Sequence, residues 1–195
     1  MTLTTEQLTA QVNQYLETNR LKEAYDCLQE LLNRPEADGR THEVAGLVAI
    51  SLNRKDDAET HLLSATRQMP DDYNANYNLA ILQVSQGRHD EAISRLKHLF
   101  DLQPDNAELQ NDIAVIELSR SNATAAITAF ETALQINPNY PQALENLSSA
   151  VLEHDLKTEA KSLFDRVRNH TAIKSETRQF MAELEQQWTP QTTTA

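Results

Sequence analysis

The feature that most constrains this chain is a spacing of 34 residues between small side chains. Five alanines follow one another at this interval, namely Ala24, Ala58, Ala92, Ala126 and Ala160. Three prolines repeat at the same interval, namely Pro70, Pro104 and Pro138. A small residue and a proline in constant register over such a period predict a solenoid of helix pairs. Because the five periods span almost the whole chain, the expected fold class is all-α.

Each period contains two stretches with the apolar spacing of an amphipathic helix, separated by a turn-forming residue. These turn residues are Asn19, Asn53, Gly87, Ser121 and Asp155. Helix starts are also marked: Thr4 and Gln7 form a predicted capping box, and Asp105 with Glu108 forms a predicted capping pair. The acidic pairs Asp56–Asp57 and Asp71–Asp72 are interpreted as helix-start caps rather than metal ligands.

The two helices of a pair can cross closely only where the side chains at the crossing are small. The second helices supply the alanines that define the period. The first helices supply a second series at the same spacing, Val12, Gly46, Ala80, Ala114 and Ser148. Small residues set the helix separation while larger aliphatic and aromatic residues fill the space around them.

The bulk composition excludes several function classes. The net charge is −12, from 29 acids and 17 bases, which opposes binding to nucleic acid or to an anionic membrane surface. No apolar stretch approaches the length of a membrane span, so no membrane insertion is expected. The N-terminus lacks the pattern of a secretion signal, and the single cysteine fits a reducing compartment. The expected location is the cytoplasm.

The repeats resemble the tetratricopeptide repeat family. The third period matches best, with Tyr77-Asn-Leu-Ala80, then Gly87, then Asp90-Glu-Ala-Ile93, then Pro104-Asp-Asn. The family's early tryptophan is missing from every period. The resemblance implies a right-handed superhelical solenoid of antiparallel helix pairs. The expected organisation is a lead-in at 1–4, five repeats at 5–174, a capping helix at 175–188 and a disordered tail at 189–195.

The same resemblance implies that the first helices line a concave peptide groove. Carboxamides such as those of Asn78 and Asn146 both donate and accept, so they suit a peptide backbone. The expected groove residues are Glu43, Leu47, Asn74, Tyr77, Asn78, Ile81, Glu108, Asn111, Asp112, Val115, Glu145 and Asn146. In the alternative interpretation, the aliphatic residues pack neighbouring first helices and the asparagines only face water.

Charge at the groove positions adds a hint about the partner. The positions that the resemblance assigns to the groove hold a single base, Arg40, against seven acids: Glu6, Glu17, Glu43, Glu108, Asp112, Glu145 and Glu153. Complementary charge governs specificity and encounter rate. A basic or neutral partner segment is therefore favoured.

Catalysis has little support in the sequence. The six histidines are scattered, no His-Glu-x-x-His or Cys-x-x-Cys occurs, and Cys27 lies beside an apolar stripe that suggests a core position. No enzyme activity, metal or cofactor is expected. The leading hypothesis is a scaffold or adaptor that binds a segment of another protein. The alternatives are a self-assembling structural protein that uses its convex face or solenoid ends, and a regulatory subunit of a catalytic partner.

Overall fold

The computed structural model describes residues 3–154 and 156–188, leaving aside the side chain of His154. All regular structure in these residues is α-helical, which confirms the predicted all-α class. The chain divides into two compact units, Met1–Leu99 and Phe100–Ala195. Below they are called unit 1 and unit 2.

Unit 1 is built from helix pairs. Its helices are α1 (Thr5–Glu17), α2 (Leu21–Leu32), α3 (Gly39–Ser51), α4 (Lys55–Gln68), α5 (Tyr73–Ser85) and α6 (His89–Leu102), the last of which ends beyond the boundary. Helix α1 packs on α2 and α3 packs on α4, while α2 also contacts α3 and α4 contacts α5. The first helices of consecutive pairs, α3 and α5, touch one another.

Unit 2 continues the pattern and adds an unpaired helix. Its helices are α7 (Ala107–Ser119), α8 (Ala123–Ile136), α9 (Pro141–His154), α10 (Lys157–Arg168) and α11 (Ser175–Trp188). Helix α7 packs on α8 and α9 packs on α10, and α7 contacts α9. The last helix, α11, packs against both α9 and α10.

The turn inside each pair confirms the sequence prediction at four positions. Asn19, Asn53, Gly87 and Ser121 have positive φ angles of 55°, 57°, 76° and 58°. In each case the next residue donates its backbone N–H five residues back, as Arg54 does to Ala49 at 2.8 Å. This bond satisfies a carbonyl at the helix end and reverses the chain. The fifth predicted turn residue, Asp155, lies outside the described residues.

Helix starts differ from the prediction in two places. The Thr4–Gln7 capping box is present, and Asp72 caps α5. The Asp105–Glu108 capping pair is wrong: the cap of α7 is Asn106, whose side chain accepts from the Glu108 N–H. Asp56 and Asp57 lie in the first turn of α4, after the cap residue Arg54, so they make no cap hydrogen bond and interact only with the helix dipole.

The helix crossings are built from the predicted small residues. All five alanines of the second helices are completely buried, and Val12, Gly46, Ala80, Ala114 and Ser148 of the first helices are buried as well. The fit is tightest at Gly46, where an added Cβ would lie 2.7 Å from Cγ of Leu62. Contacts this close leave no room for a larger residue in that pair.

Helix α11 is fixed by its last residue. Trp188 is buried, its ring lies 5.0 Å from that of Phe164, and its indole N–H donates to the Ser148 hydroxyl at 2.9 Å. Met181 and Leu184 are buried as expected, but Ala182 is exposed, so its placement on the same face was wrong. The capping role of this helix and the limits assigned to the repeats stay predictions. The expected tail at 189–195 lies outside the described residues.

Candidate functional site

In unit 1 the predicted groove residues of α3 and α5 share one surface, and most of it is uncharged. This α3–α5 surface consists of Leu47, Ile50, Tyr73, Asn74, Tyr77, Asn78 and Ile81. Ile50, Asn74 and Ile81 are exposed, and the other members are half-buried. The rings of Tyr73 and Tyr77, one helical turn apart, stack with centroids 5.6 Å apart and planes 9° apart. The surface therefore offers aliphatic and aromatic area beside carboxamides.

The carboxamide of Asn78 is partly occupied within its own helix. Its side-chain nitrogen donates to the Asn74 carbonyl at 2.8 Å. The Asn74 side chain itself is exposed. A ligand that bonds the Asn78 nitrogen must therefore compete with this intrahelical bond, whereas the Asn74 side chain is open to solvent.

Glu43 does not face solvent, so its assignment to the groove was wrong. Its side chain belongs to a residue that is only 3% exposed, and it forms an ion pair with Arg40. The Arg40 guanidinium also lies 3.5 Å from a carboxylate oxygen of Asp72. Burial raises the pKa of Glu43, nearby Asp72 raises it further, and Arg40 opposes both. Alternation along α3 turns this residue inward, towards the core.

In unit 2 the corresponding α7–α9 surface is acidic. It consists of Glu108, Asp112, Val115, Glu145, Asn146 and Leu152. Glu108, Val115, Glu145 and Leu152 are exposed, while Asp112 and Asn146 are half-buried. The two glutamates bring negative charge beside aliphatic side chains, an arrangement that suits a ligand with basic and apolar groups.

Asn111 lies beneath this surface rather than on it, which corrects its predicted role. The residue is only 5% exposed, and its side-chain oxygen accepts from the Asn146 amide at 3.0 Å. Its own amide nitrogen lies 3.4 Å from the Asp112 carboxylate. The two asparagines thus join α7 to α9 through their side chains. Asn146 has a structural partner already and is less available to a peptide than expected.

Two surface residues were missed in the list of groove positions. Tyr73 precedes Tyr77 by one helical turn, and the aromatic spacing could have identified it. Leu152 lies 34 residues after Leu118, so the period itself marks it as an equivalent of that first-helix position.

Chemistry other than binding finds no support in the described part of the chain. Residues 3–154 and 156–188 hold no group of three or more His, Cys, Asp or Glu side chains suited to a metal ion. The Cys27 thiol is half-buried and donates to Gln11 at 3.7 Å. Burial raises the pKa of Cys27, which keeps the thiol protonated rather than nucleophilic. Among the helices of these residues, none has the length and apolar character needed to cross a membrane.

Solved structures share this fold. MamA from Desulfovibrio magneticus superposes with a TM-score of 0.73 at 15% identity, over 95% of this chain and 97% of that one. A tetratricopeptide repeat protein from Parabacteroides merdae gives 0.74 at 16% identity, over 92% and 73%. YrrB, a TPR protein with an unusual peptide-binding site, gives 0.66 at 22% identity, over 72% and 73%. At these identities the likeness concerns the fold alone.

Sequence comparison decides the family. No curated protein sequence matches the chain. The tetratricopeptide repeat family model matches three overlapping stretches, 43–96, 77–141 and 111–170, which together cover more than half of the chain. With its helix pairs, its 34-residue register and this match, the chain belongs to the tetratricopeptide repeat family.

Proposed function

We propose that this protein is a non-catalytic scaffold that binds segments of a partner protein on its first-helix surfaces. The observation that carries the proposal is the distribution of exposed aliphatic side chains. Five large ones are exposed in the described residues, and four of them lie on first helices: Ile50 at 38%, Ile81 at 44%, Val115 at 42% and Leu152 at 56%. Apolar side chains gathered on one kind of helix, beside hydrogen-bonding groups, are typical of interaction surfaces.

The two surfaces suit different ligand chemistry. The α3–α5 surface offers stacked tyrosine rings and asparagines, which favour an uncharged segment with aromatic or aliphatic side chains. The α7–α9 surface offers Glu108 and Glu145 beside Val115 and Leu152, which favours a segment with lysine or arginine next to apolar residues. Binding to the second surface should weaken as salt is added, since exposed charges are screened.

YrrB supports the general idea, because it has the same fold and a peptide-binding site. Self-assembly is the second candidate function. Leu102, 46% exposed near the end of second helix α6, is the observation that favours it, because it is an apolar side chain outside the first-helix surfaces. A regulatory subunit would use the same surfaces as a scaffold, with a catalytic protein as its partner.

The test compares matched variants in affinity capture followed by mass spectrometry. Ile81→Ser and Leu102→Ser each remove one aliphatic side chain of similar exposure, the first from the α3–α5 surface and the second from α6. We expect Ile81→Ser to reduce recovery of a stoichiometric partner by about tenfold, since a buried aliphatic contact is worth roughly 1.5–3 kcal/mol, while Leu102→Ser leaves recovery unchanged.

The reverse result would favour assembly. If Leu102→Ser abolishes association and the sedimenting species is this chain alone, the first-helix surfaces are not the principal binding sites. Analytical ultracentrifugation of both variants distinguishes these outcomes, because self-association depends on the concentration of this chain and partner binding does not require it.

A further inference from the structure

Four polar side chains meet inside unit 1, where α2, α3 and α4 come together. The imidazole rings of His42 on α3 and His61 on α4 lie 5.7 Å apart between centroids. On the α2 side, the Tyr25 hydroxyl and the Gln29 amide nitrogen each lie 3.2 Å from Nε2 of His61. Below, the two histidines are called the histidine pair.

The hydrogen bonds of the histidine pair are incomplete. Nδ1 of His42 and Nδ1 of His61 are both buried, and neither has a partner. With the Gln29 amide as donor, Nε2 of His61 accepts, so the proton of the neutral His61 ring resides on its Nδ1. Buried polar atoms without partners are uncommon in folded proteins and reduce stability.

The fold does not require polar residues at these two positions. They are the fourth and twenty-third residues of the 34-residue period, and the other periods hold Leu8 with Cys27, Asn76 with Arg95, Gln110 with Ala129 and Leu144 with Leu163. In the fifth period, Leu144 and Leu163 are fully buried. In the third, Arg95 donates to the Asn76 side-chain oxygen at 2.8 Å, so that polar pair is matched. The histidine pair is the poorly satisfied version of a common contact.

The charges around the pair are few and do not neutralise a second cation. Asp38, the cap residue of α3, acts on His42, and Asp57 in the first turn of α4 acts on His61. On the α2 side, the Arg54 guanidinium lies over the Tyr25 ring at 4.9 Å, so a positive charge is already present. Helix α5, which packs against both α3 and α4, contains no Asp, Glu, Lys, Arg or His.

We propose that the histidine pair is an acid-sensitive junction, in which protonation of the buried rings loosens the packing of α3 and α4 against α2. A proton on Nε2 of His61 removes the acceptor that the Gln29 amide uses. A proton on the second ring then places two cations about one ring diameter apart in a partly dry site. The response affects α3, the helix that also presents Leu47 and Ile50.

The sign of the effect follows from the environment. Burial lowers the pKa of both His42 and His61, and His42 lowers that of His61 further, while Asp38 and Asp57 oppose these effects. The unfolded chain therefore takes up protons first as the pH falls through about 6.5. Stability that is fully present above this pH is lost below it.

The experiment measures hydrogen exchange of the full chain by mass spectrometry at about pH 7.5 and about pH 5.5, with rates corrected for the intrinsic effect of pH. A histidine that stays neutral in the fold contributes up to about tenfold to the opening constant over this interval. We expect opening of α3 and α4 to increase about ten- to a hundredfold. Helices α7 and α8 of the same chain, which contain no histidine, serve as the internal reference and should change less.

The matched variant is His42→Leu with His61→Leu, which copies Leu144 and Leu163 of the fifth period. In this variant the opening of α3 and α4 should follow the internal reference at both pH values. An unchanged pH response in the double variant would overturn the proposal.

A measurement on the unaltered protein covers the case in which that variant does not fold. Ring carbon shifts of His42 and His61 are followed by NMR as the pH is lowered. Both rings should remain neutral at a pH where a histidine in a reference peptide is mostly protonated. Titration of both rings together with the reference peptide would contradict the proposal.

Discussion

The two units present the same helix faces with different chemistry. The α3–α5 surface of unit 1 has stacked tyrosines and asparagines, and the one acid predicted there, Glu43, is buried in an ion pair. The α7–α9 surface of unit 2 exposes Glu108 and Glu145. Both surfaces keep an aliphatic residue at the ninth position of the period, Ile81 in one and Val115 in the other.

This difference shows which positions of the repeat are free to vary. The alanines at the helix crossings are identical because a larger side chain would separate the helices. The surface positions have no such constraint, so they can hold Asn78 in one repeat and Asp112 in the next. We infer that the aliphatic residues provide contact area common to both surfaces, and the polar residues provide the selectivity.

The largest expected effect comes from Trp188→Ala. Loss of this buried ring and of its bond to Ser148 should lower the stability of unit 2 by about 3–5 kcal/mol. Repeats contact mainly their neighbours, so α1 to α4 should keep their protection from hydrogen exchange. Equal loss of protection in α1 to α4 would show that the units unfold as one. Trp188→Phe, which keeps the contact with Phe164, is the milder control.

The next effect contrasts the two equivalent asparagines. Asn146→Ala removes the donor to buried Asn111 and should cost about 1–3 kcal/mol in the free energy of unfolding. Asn78→Ala removes only a bond to the helix that carries it and should change stability by less than about 0.5 kcal/mol. Urea unfolding of both variants measures the difference. Similar values would mean that the Asn111–Asn146 contact contributes little.

A smaller effect concerns charge on the α7–α9 surface. Glu108→Lys with Glu145→Lys should weaken binding of a short lysine-rich peptide by about tenfold, or about 1.4 kcal/mol, as measured by calorimetry at low salt. Glu17→Lys with Glu36→Lys makes the same change in net charge at exposed positions of unit 1. If both pairs weaken binding equally, the net charge of the chain and not this surface attracts the peptide.

The smallest expected effect is at Glu43. Because burial raises its pKa, the folded state binds a proton more tightly than the unfolded state does. Its charge therefore costs stability at neutral pH, and this cost is relieved as the pH falls towards about 4.5. Glu43→Gln should raise the free energy of unfolding at neutral pH by less than about 1 kcal/mol. Glu108→Gln is the exposed control, and a loss of stability in Glu43→Gln would show that the pair with Arg40 dominates.

The backbone could be predicted from the sequence because the period repeats its constraints. Five copies of one alanine position and four observed turns with positive φ specify helix ends and crossings independently of any partner. The same redundancy identified which helices carry the exposed aliphatic residues. The placement of Asp105 failed because Asn106, one residue later, is an equally good cap and no repeat decides between them.

The individual surface residues could not be predicted with the same success. Glu43 and Asn111 occupy positions that the family assigns to a groove, yet each is turned inward by a contact made in this chain alone: Arg40 for the first, Asn146 for the second. Such contacts depend on one neighbour and one rotamer, and periodicity contains no information about either. The histidine pair was missed for the same reason, since its two members are 19 residues apart in sequence.

The burial of Trp188 also gives this protein a built-in optical probe. It is the only tryptophan of the chain, and its indole is packed against Phe164 with its N–H bonded to Ser148. Emission excited selectively at the indole therefore reports on the environment of α9, α10 and α11, and the tyrosines of unit 1 remain silent in that channel. Circular dichroism sees the helices of both units. A mismatch between fluorescence and dichroism during denaturation would reveal, without any label, a state in which one unit has melted and the other has not.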